Sequence, residues 1–393
     1  MNFILFDHSQ RINLLPLTFT RPVAEIRIGI LTITEKWNKY LGSNCSFLTE
    51  QYLQEKYKLV TGNNNIYING AVLPEQELVD EVINLKDGQA LFVGTEIVAF
   101  ATSSLLSNID KDTSGFEKVH STCNPLIINY PWDIFRNNEK AIEMDYKMIT
   151  KGRISAQLAN TNQIIGGNIF VEDGVFADFA TINGRNSYIY LGKNSTLMGG
   201  SIIRGSLALC ENSVLKLGVK IYGATTIGPN SKVGGEVNNS IIFGNTNKSH
   251  DGYLGNSVLG EWCNLGANTN CSNLKNTYAE VKVWNYMQET FINSGLQFCG
   301  LVMGDHSKCG INTMFNTGTV VGVNANIFGT GFMSTFIPSF SWGGSQGFTE
   351  YIPEKAFETN KAVLARKNQE FNEVEKNILS RVFEITKKYR ENK

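Results

Sequence analysis

Apolar residues recur at every sixth position through the second half of the chain, at Leu191, Leu197, Ile203, Leu209, Leu215, Ile221, Ile227 and Val233. With 42% of residues apolar, such a run in one frame arises by chance roughly 0.1% of the time, so the step marks a structural repeat. A period of six does not hold one helical face. It suits a coil of short strands and tight turns, with one apolar side chain per strand pointing inward. A second series, Met303, Cys309, Phe315, Val321, Ile327 and Met333, keeps the same step, and Gly304, Gly310 and Gly322 directly follow three of its members. Small residues there let successive coils stack closely. The stretches NGRNS (183–187) and GPNS (228–231) supply corners with positive φ. The pattern predicts an all-β parallel β-helix over residues 151–350.

The flanking segments follow other patterns. Residues 1–150 hold strand-like runs at Phe3–Phe6, Ile66–Ile68 and Ala90–Phe92, with helix-like stretches at 50–57 and 75–85. That alternation predicts an α/β domain with a mostly parallel sheet. From Pro353 onward, Val363, Leu364, Phe371, Val374, Ile378, Leu379, Val382 and Phe383 fall on helical spacing. They predict a C-terminal amphipathic helix within 351–393.

Composition narrows the partners. The 35 Lys and Arg nearly balance 36 Asp and Glu, and no block of like charge tracks a nucleic-acid backbone or an anionic membrane. Small polar molecules are the expected ligands. The start, MNFILFDHSQ, has neither a basic n-region nor a cleavage site, and no run of 18 apolar residues follows, which predicts a cytoplasmic protein. Seven cysteines without a CxxC pair suggest neither a disulfide framework nor a zinc site.

The six-residue frame is lost between Asn238 and Asn273, and there lies His250, one of four histidines. Loops on a rigid scaffold commonly carry catalytic groups, and an imidazole that titrates near neutral pH suits removal of a proton from an ammonium group before acyl transfer. His306, inside the restored repeat, reads as a turn residue.

The same segment resembles the acetyltransferase active-site region of the bifunctional N-acetylglucosamine-1-phosphate uridylyltransferase and glucosamine-1-phosphate acetyltransferase family. The match runs His250, Tyr253, Leu254, Gly255, then Asn264, Leu265, Gly266, Ala267, and finally Asn273. The resemblance implies His250 as general base, Tyr253, Asn264 and Asn273 as contacts to an amino sugar phosphate, and Ala267 beside the thioester of acetyl-CoA. It also implies a left-handed coil and a homotrimer. Of the lysines near the interruption, Lys220, Lys232, Lys248, Lys275 and Lys282, the neighbours of the matched residues, Lys248 and Lys275, rank first as phosphate partners. The tail after Asn273 reads LKN where the family has YDG.

In that family the first domain transfers a nucleotidyl group, with a Gly-rich loop and a metal-holding Asp. Here FDHSQRINLLPLTFTRPVAEIRIG has no Gly before Gly29, and Ala71 stands at the expected metal position. Ala cannot coordinate Mg2+, so another carboxylate such as Asp80, Asp110 or Asp133 would have to replace it. The stretch from Leu14 to Trp37 resembles a divergent, Bacteroidetes-type branch labelled sugar nucleotidyltransferases, and Arg11, Arg21 and Arg27 are its candidate nucleotide or phosphate ligands. Three readings stand: an acetyl-CoA-dependent N-acetyltransferase for an amino sugar phosphate, a nucleotidyltransferase using UTP or dTTP with Mg2+, and a non-catalytic sugar-nucleotide-binding scaffold.

Overall fold

The computed structural model describes residues 1–104, 106 and 109–391, the side chains of residues 110 and 111 excepted. Its contacts form two compact units: Met1–Leu14, Arg21–Ile26 and Leu31–Tyr130 in one, and Leu15–Thr20, Arg27–Ile30 and Pro131–Lys393 in the other. The helices Pro131–Arg136 and Asn138–Thr150, which composition places before residue 150 with the first domain, fall in the second unit. Buried polar side chains explain this. Asn138 Nδ2 donates to the Ala224 carbonyl (2.9 Å), its Oδ1 accepts from Gly29 N (2.8 Å) and Thr226 Oγ1 (3.1 Å), and Asp145 Oδ2 accepts from Ile30 N (2.7 Å). Gly29 has φ +74°, and a Cβ there would stand 2.5 Å from Asp145 Oδ2, so this crossing needs glycine.

The first unit is built on a six-stranded sheet. Its strands are β1 (Asn2–Phe6), β2 (Ser46–Leu48), β3 (Asn65–Asn69), β4 (Gln89–Val93), β5 (Glu96–Thr102) and β6 (Glu117–His120), in the order β2-β1-β3-β5-β4-β6. The pairs β1–β2, β1–β3 and β4–β6 are parallel, and β5 runs antiparallel to β3 and β4. Tyr67 stacks on Phe100 at 4.9 Å within the core around Ile4 and Phe6. The helix Ile33–Leu41 starts at a capping box of Thr32 and Glu35 and stops at Gly42 with φ +61°. Residues 76–83 form the expected helix, but 50–57 form turns. Only Leu53 there is fully buried, and Gln54 Nε2 takes the Phe47 and Tyr57 carbonyls, so side-chain bonds compete with helix formation.

The second unit is the expected parallel β-solenoid. Three sheets of 8, 9 and 10 strands wind from Gln163 to Glu350, the last strand joining antiparallel. The eight residues of the first series are all buried, at 2% exposure or less. Corners are held by asparagines such as Asn194, Asn212 and Asn230, with φ 54–58° and one coil apart. His306, at φ +61°, is also a corner residue.

The inward series does not end where the six-residue frame is lost. It continues through Val237, Ile242, Lys248, Leu254, Leu259, Leu265 and Cys271, because individual corners are shorter and the coils stay in register. The larger excursion comes later, between Cys271 and Val302, and carries the hairpin Lys282–Asn285 with Thr290–Asn293. The C-terminal segment is also divided, into the helices Pro353–Ala365, Glu373–Ile385 and Lys387–Glu391. Asn368 at φ +55° breaks the first, and Asn372 caps the second by accepting from Glu375 N.

Candidate active site

The first unit opens a cavity of about 520 Å³ at the carboxyl ends of β1 and β2, lined by Asp7, His8, Arg11, Thr49 and Glu50 among others. Such ends are where open α/β sheets hold ligands. Arg11 is buried there. Its Nε pairs with Asp7 Oδ2 (3.3 Å), its Nη2 donates to Tyr52 Oη (2.9 Å) and its Nη1 meets Glu50 Oε1 (3.4 Å). Burial raises the Asp7 carboxyl above its ordinary range, against the Arg11 guanidinium and the hydrogen bond from Thr49 (2.5 Å). The cavity's arginine is thus already neutralised.

The other first-domain candidates lie elsewhere in the chain's architecture. Arg21 is buried. Arg27 belongs to the second unit, where Nε donates to the Phe243 carbonyl (3.1 Å) and Nη1 to that of Ile30. Ala71 is buried with no side-chain oxygen to offer, and its carbonyl accepts from Ile128 N (2.9 Å). Of the substitutes, Asp80 accepts from Gln76 on an exposed helix face, Asp133 lies in the second unit, and the Asp110 side chain is outside the described residues. Among the described residues no group of three or more His, Cys, Asp or Glu is placed to hold a metal. The residues present do not fit the magnesium site that the resemblance implies.

In the solenoid, Tyr253 lies on the 8-stranded sheet with Asn273, His250 and Ala267 beside it, whereas Asn264 lies on the 10-stranded sheet. Tyr253 opens its strand Tyr253–Gly255, and its Oη accepts from Asn273 Nδ2 (3.0 Å), which also donates to Asn256 Oδ1 (2.7 Å). Gly255 makes this possible. A Cβ there would stand 2.2 Å from Tyr253 Oη and 2.7 Å from Asn273 Nδ2, so the phenol lies across it. His250 sits exposed at the corner before that strand. The Ala267 corner is the next one along the coil axis, tied to the His250 corner by Asn268 N donating to the Asp251 carbonyl (3.0 Å). Asn264 is exposed and pairs in register with Asn247. A small, half-buried residue at 267 beside an exposed imidazole fits the approach of a thioester.

Of the two lysines ranked from the sequence, Lys248 is turned into the coil and Lys275 bonds a backbone carbonyl. Lys248 takes the inward slot aligned with Val233, 2% exposed, and its Nζ donates to the carbonyls of Gly234 (3.0 Å) and His250 (2.6 Å). Burial lowers its pKa to about 8. The corner at Gly234 and Gly235 is two residues long where the coil before it uses four, from Lys216 to Val219. The lysine stem fills the coil and its ammonium satisfies the carbonyls turned inward there. Lys275 donates to the Glu280 carbonyl (2.8 Å) within the excursion.

The cations that do face outward lie on the same sheet as Tyr253. Along one column Ile202, Lys220, Glu236 and Tyr253 are in register, and along the next Asn183, Arg204, Tyr222, Asn238 and Gly255. Of these, Ile202, Lys220, Glu236, Asn183, Arg204 and Tyr222 line a cleft of about 780 Å³ with Arg185 and Glu139, and Tyr253 lies one coil beyond it. A second hollow of about 480 Å³ shares Glu139 and Gly223 with it and reaches Asn256, the partner of Asn273. Tyr222 Oη donates to Glu236, and burial, followed by that carboxylate, raises the phenol's pKa. The side chains of Arg185, Arg204 and Lys220 make no hydrogen bond or ion pair among the described residues. Sequence reasoning named Lys220 without ranking it and missed Arg185, Arg204, Tyr222 and Glu236. Counting back one coil at a time, 16–18 residues, from Tyr253 and Gly255 would have found four of the five.

Residues 3–154 match the model of a family described as sugar nucleotidyl transferase. The chain is 29% identical to a bifunctional protein GlmU of Methanocaldococcus jannaschii over 197 residues, 50% of this chain and 42% of that protein. It is 31% identical to a bifunctional sugar-1-phosphate nucleotidylyltransferase/acetyltransferase of Sulfurisphaera tokodaii over 146 residues, 32% of this chain and 36% of that one. A solved structure, the polySia specific acetyltransferase NeuO, aligns with 48% of this chain and 82% of its own at 14% identity and a TM-score of 0.28, a likeness that carries no argument. The chain spans less than half the length of both curated relatives. These matches bear out the resemblance at the level of the family: the chain is similar to the bifunctional nucleotidyl- and acetyltransferases and divergent from them.

Proposed function

We propose that the solenoid is an acetyl-CoA-dependent N-acetyltransferase acting on an amino sugar phosphate. The observation that carries this reading is the placement of Tyr253 and Asn273, hydrogen-bonded across Gly255, beside a cleft whose lysine, Lys220, has no partner among the described residues. A phosphate held by Lys220 places the sugar along the Tyr253 column, with its amine toward the His250 corner. His250 takes the ammonium proton, the amine nitrogen attacks the thioester carbonyl carbon, and the C–S bond breaks to release coenzyme A as the thiol.

The test is thiol release from acetyl-CoA with glucosamine-1-phosphate. Turnover by the wild-type chain that falls roughly 10²- to 10⁴-fold in His250→Ala supports the reading, and near-full activity in that variant sinks the base assignment. Work in the cytoplasm as a homotrimer belongs to the same reading, and no helix among the described residues is long and apolar enough to cross a membrane.

A second reading, nucleotidyl transfer, is favoured by the family match over residues 3–154 and the cavity at the ends of β1 and β2. Pyrophosphate release from UTP or dTTP with magnesium and a sugar-1-phosphate tests it. Release at catalytic rates would show that groups other than residue 71 supply the charge stabilisation.

A further inference from the structure

The outer cleft is longer than a monosaccharide phosphate requires. Its lining comes from four successive coils, those of Asn183, Arg204, Lys220 and Glu236, and Tyr253 lies on the fifth. At about 4.8 Å between neighbouring strands, Lys220 stands roughly 10 Å from Tyr253 along the coil axis, and Arg185 roughly 19 Å. A sugar phosphate anchored at Tyr253 and Asn273 ends near Lys220. Two further coils then remain, and both carry arginines whose guanidinium groups have no partner among the described residues. On the Arg204 strand, Ile202 lines the cleft while 51% exposed, an apolar face two residues from the guanidinium. Asn183, Asn186 and Ser187 close its end.

Unpaired arginines suit a phosphate beyond the first, since their planar donor forks match phosphate oxygens. An exposed apolar side chain flanked by amide and hydroxyl groups suits a nucleobase and its ribose. We propose that the Arg204 and Arg185 end of the cleft is a nucleoside-diphosphate subsite, so that the acceptor is a nucleoside-diphosphate amino sugar; this rests on the acetyltransferase reading. The chemistry at the amine is unchanged. The N–C bond forms, the C–S bond of the thioester breaks, the ammonium proton passes through His250 to the departing sulfur, and the sugar–diphosphate linkage is untouched. The amino sugar must then be nucleotidylated before it is acetylated, so a nucleotidyl transfer supplies the substrate.

Coenzyme A also carries a diphosphate, and the experiment separates the two sources. Calorimetric binding of UDP-glucosamine and of glucosamine-1-phosphate to the full chain, without acetyl-CoA, is expected to show the nucleotide sugar binding at least about tenfold more tightly. Arg204→Ala and Arg185→Ala should each weaken UDP-glucosamine about tenfold and glucosamine-1-phosphate less than threefold. Equal affinity for the two ligands, or equal losses for both in the variants, overturns the proposal. So does a rise in the KM for acetyl-CoA alone, which would assign the arginines to the donor. Arginine-dependent binding of UDP-glucosamine without thiol release from either acceptor would keep the subsite and refute the acetyltransferase reading instead.

Discussion

The two cavities use arginine in opposite ways. In the first unit Arg11 lies buried between Asp7, Glu50 and Tyr52, so its charge is consumed by the protein. On the solenoid, Arg185 and Arg204 line a cleft with no partner among the described residues. A paired arginine holds a fold together, whereas an unpaired one in a concavity keeps its donors for a ligand. On the proposed reading, the difference assigns recognition of an anion to the solenoid cleft.

The largest effect that sharpens this contrast is catalytic: His250→Ala should lose roughly 10²- to 10⁴-fold in turnover with its urea midpoint unchanged. Next comes stability. Arg11→Met strands Asp7 and should destabilise the first unit by about 3 kcal/mol, while Arg204→Met should stay within about 0.5 kcal/mol. Urea denaturation of both variants checks this, and equal losses would break the comparison.

A pH effect of similar size attaches to Lys248. Its folded pKa of about 8 lies below the ordinary 10.5, so the unfolded chain binds more protons between those values and stability rises with pH there. The gain is present in full above pH 10.5, is lost as pH falls through about 8, and amounts to at most about 3 kcal/mol. The difference in urea midpoint between pH 8 and pH 10 should shrink in Lys248→Met. The smallest effect expected is in Gly255→Ala, whose Cβ displaces the Tyr253 phenol: a rise of about tenfold in acceptor KM, measured by thiol release, with kcat little changed.

The solenoid was legible because each inward slot takes one apolar residue at a fixed step, a signal that repeats along the chain. It faded at residues 238–273 because corners of variable length shift the count without breaking the coil. Lys248 illustrates the limit. Charge placed it on the surface, but the short Gly234–Gly235 corner creates carbonyls that need a donor inside. His250, Tyr253 and Asn273 were named from a local motif, whereas Arg204 and Lys220 are related to Tyr253 only across coils, so no short motif contains them. The turns at 50–57 and the break at Asn368 depend on side-chain bonds and a single positive φ, which helical spacing does not register.

The most direct test of the central claim is steady-state thiol release with acetyl-CoA and an amino sugar phosphate acceptor by the wild-type chain and Lys220→Met. The account predicts an acceptor KM raised at least about tenfold with the acetyl-CoA KM unchanged. An unchanged acceptor KM, or no thiol release by the wild-type chain with either the sugar phosphate or its nucleoside-diphosphate form, would contradict it.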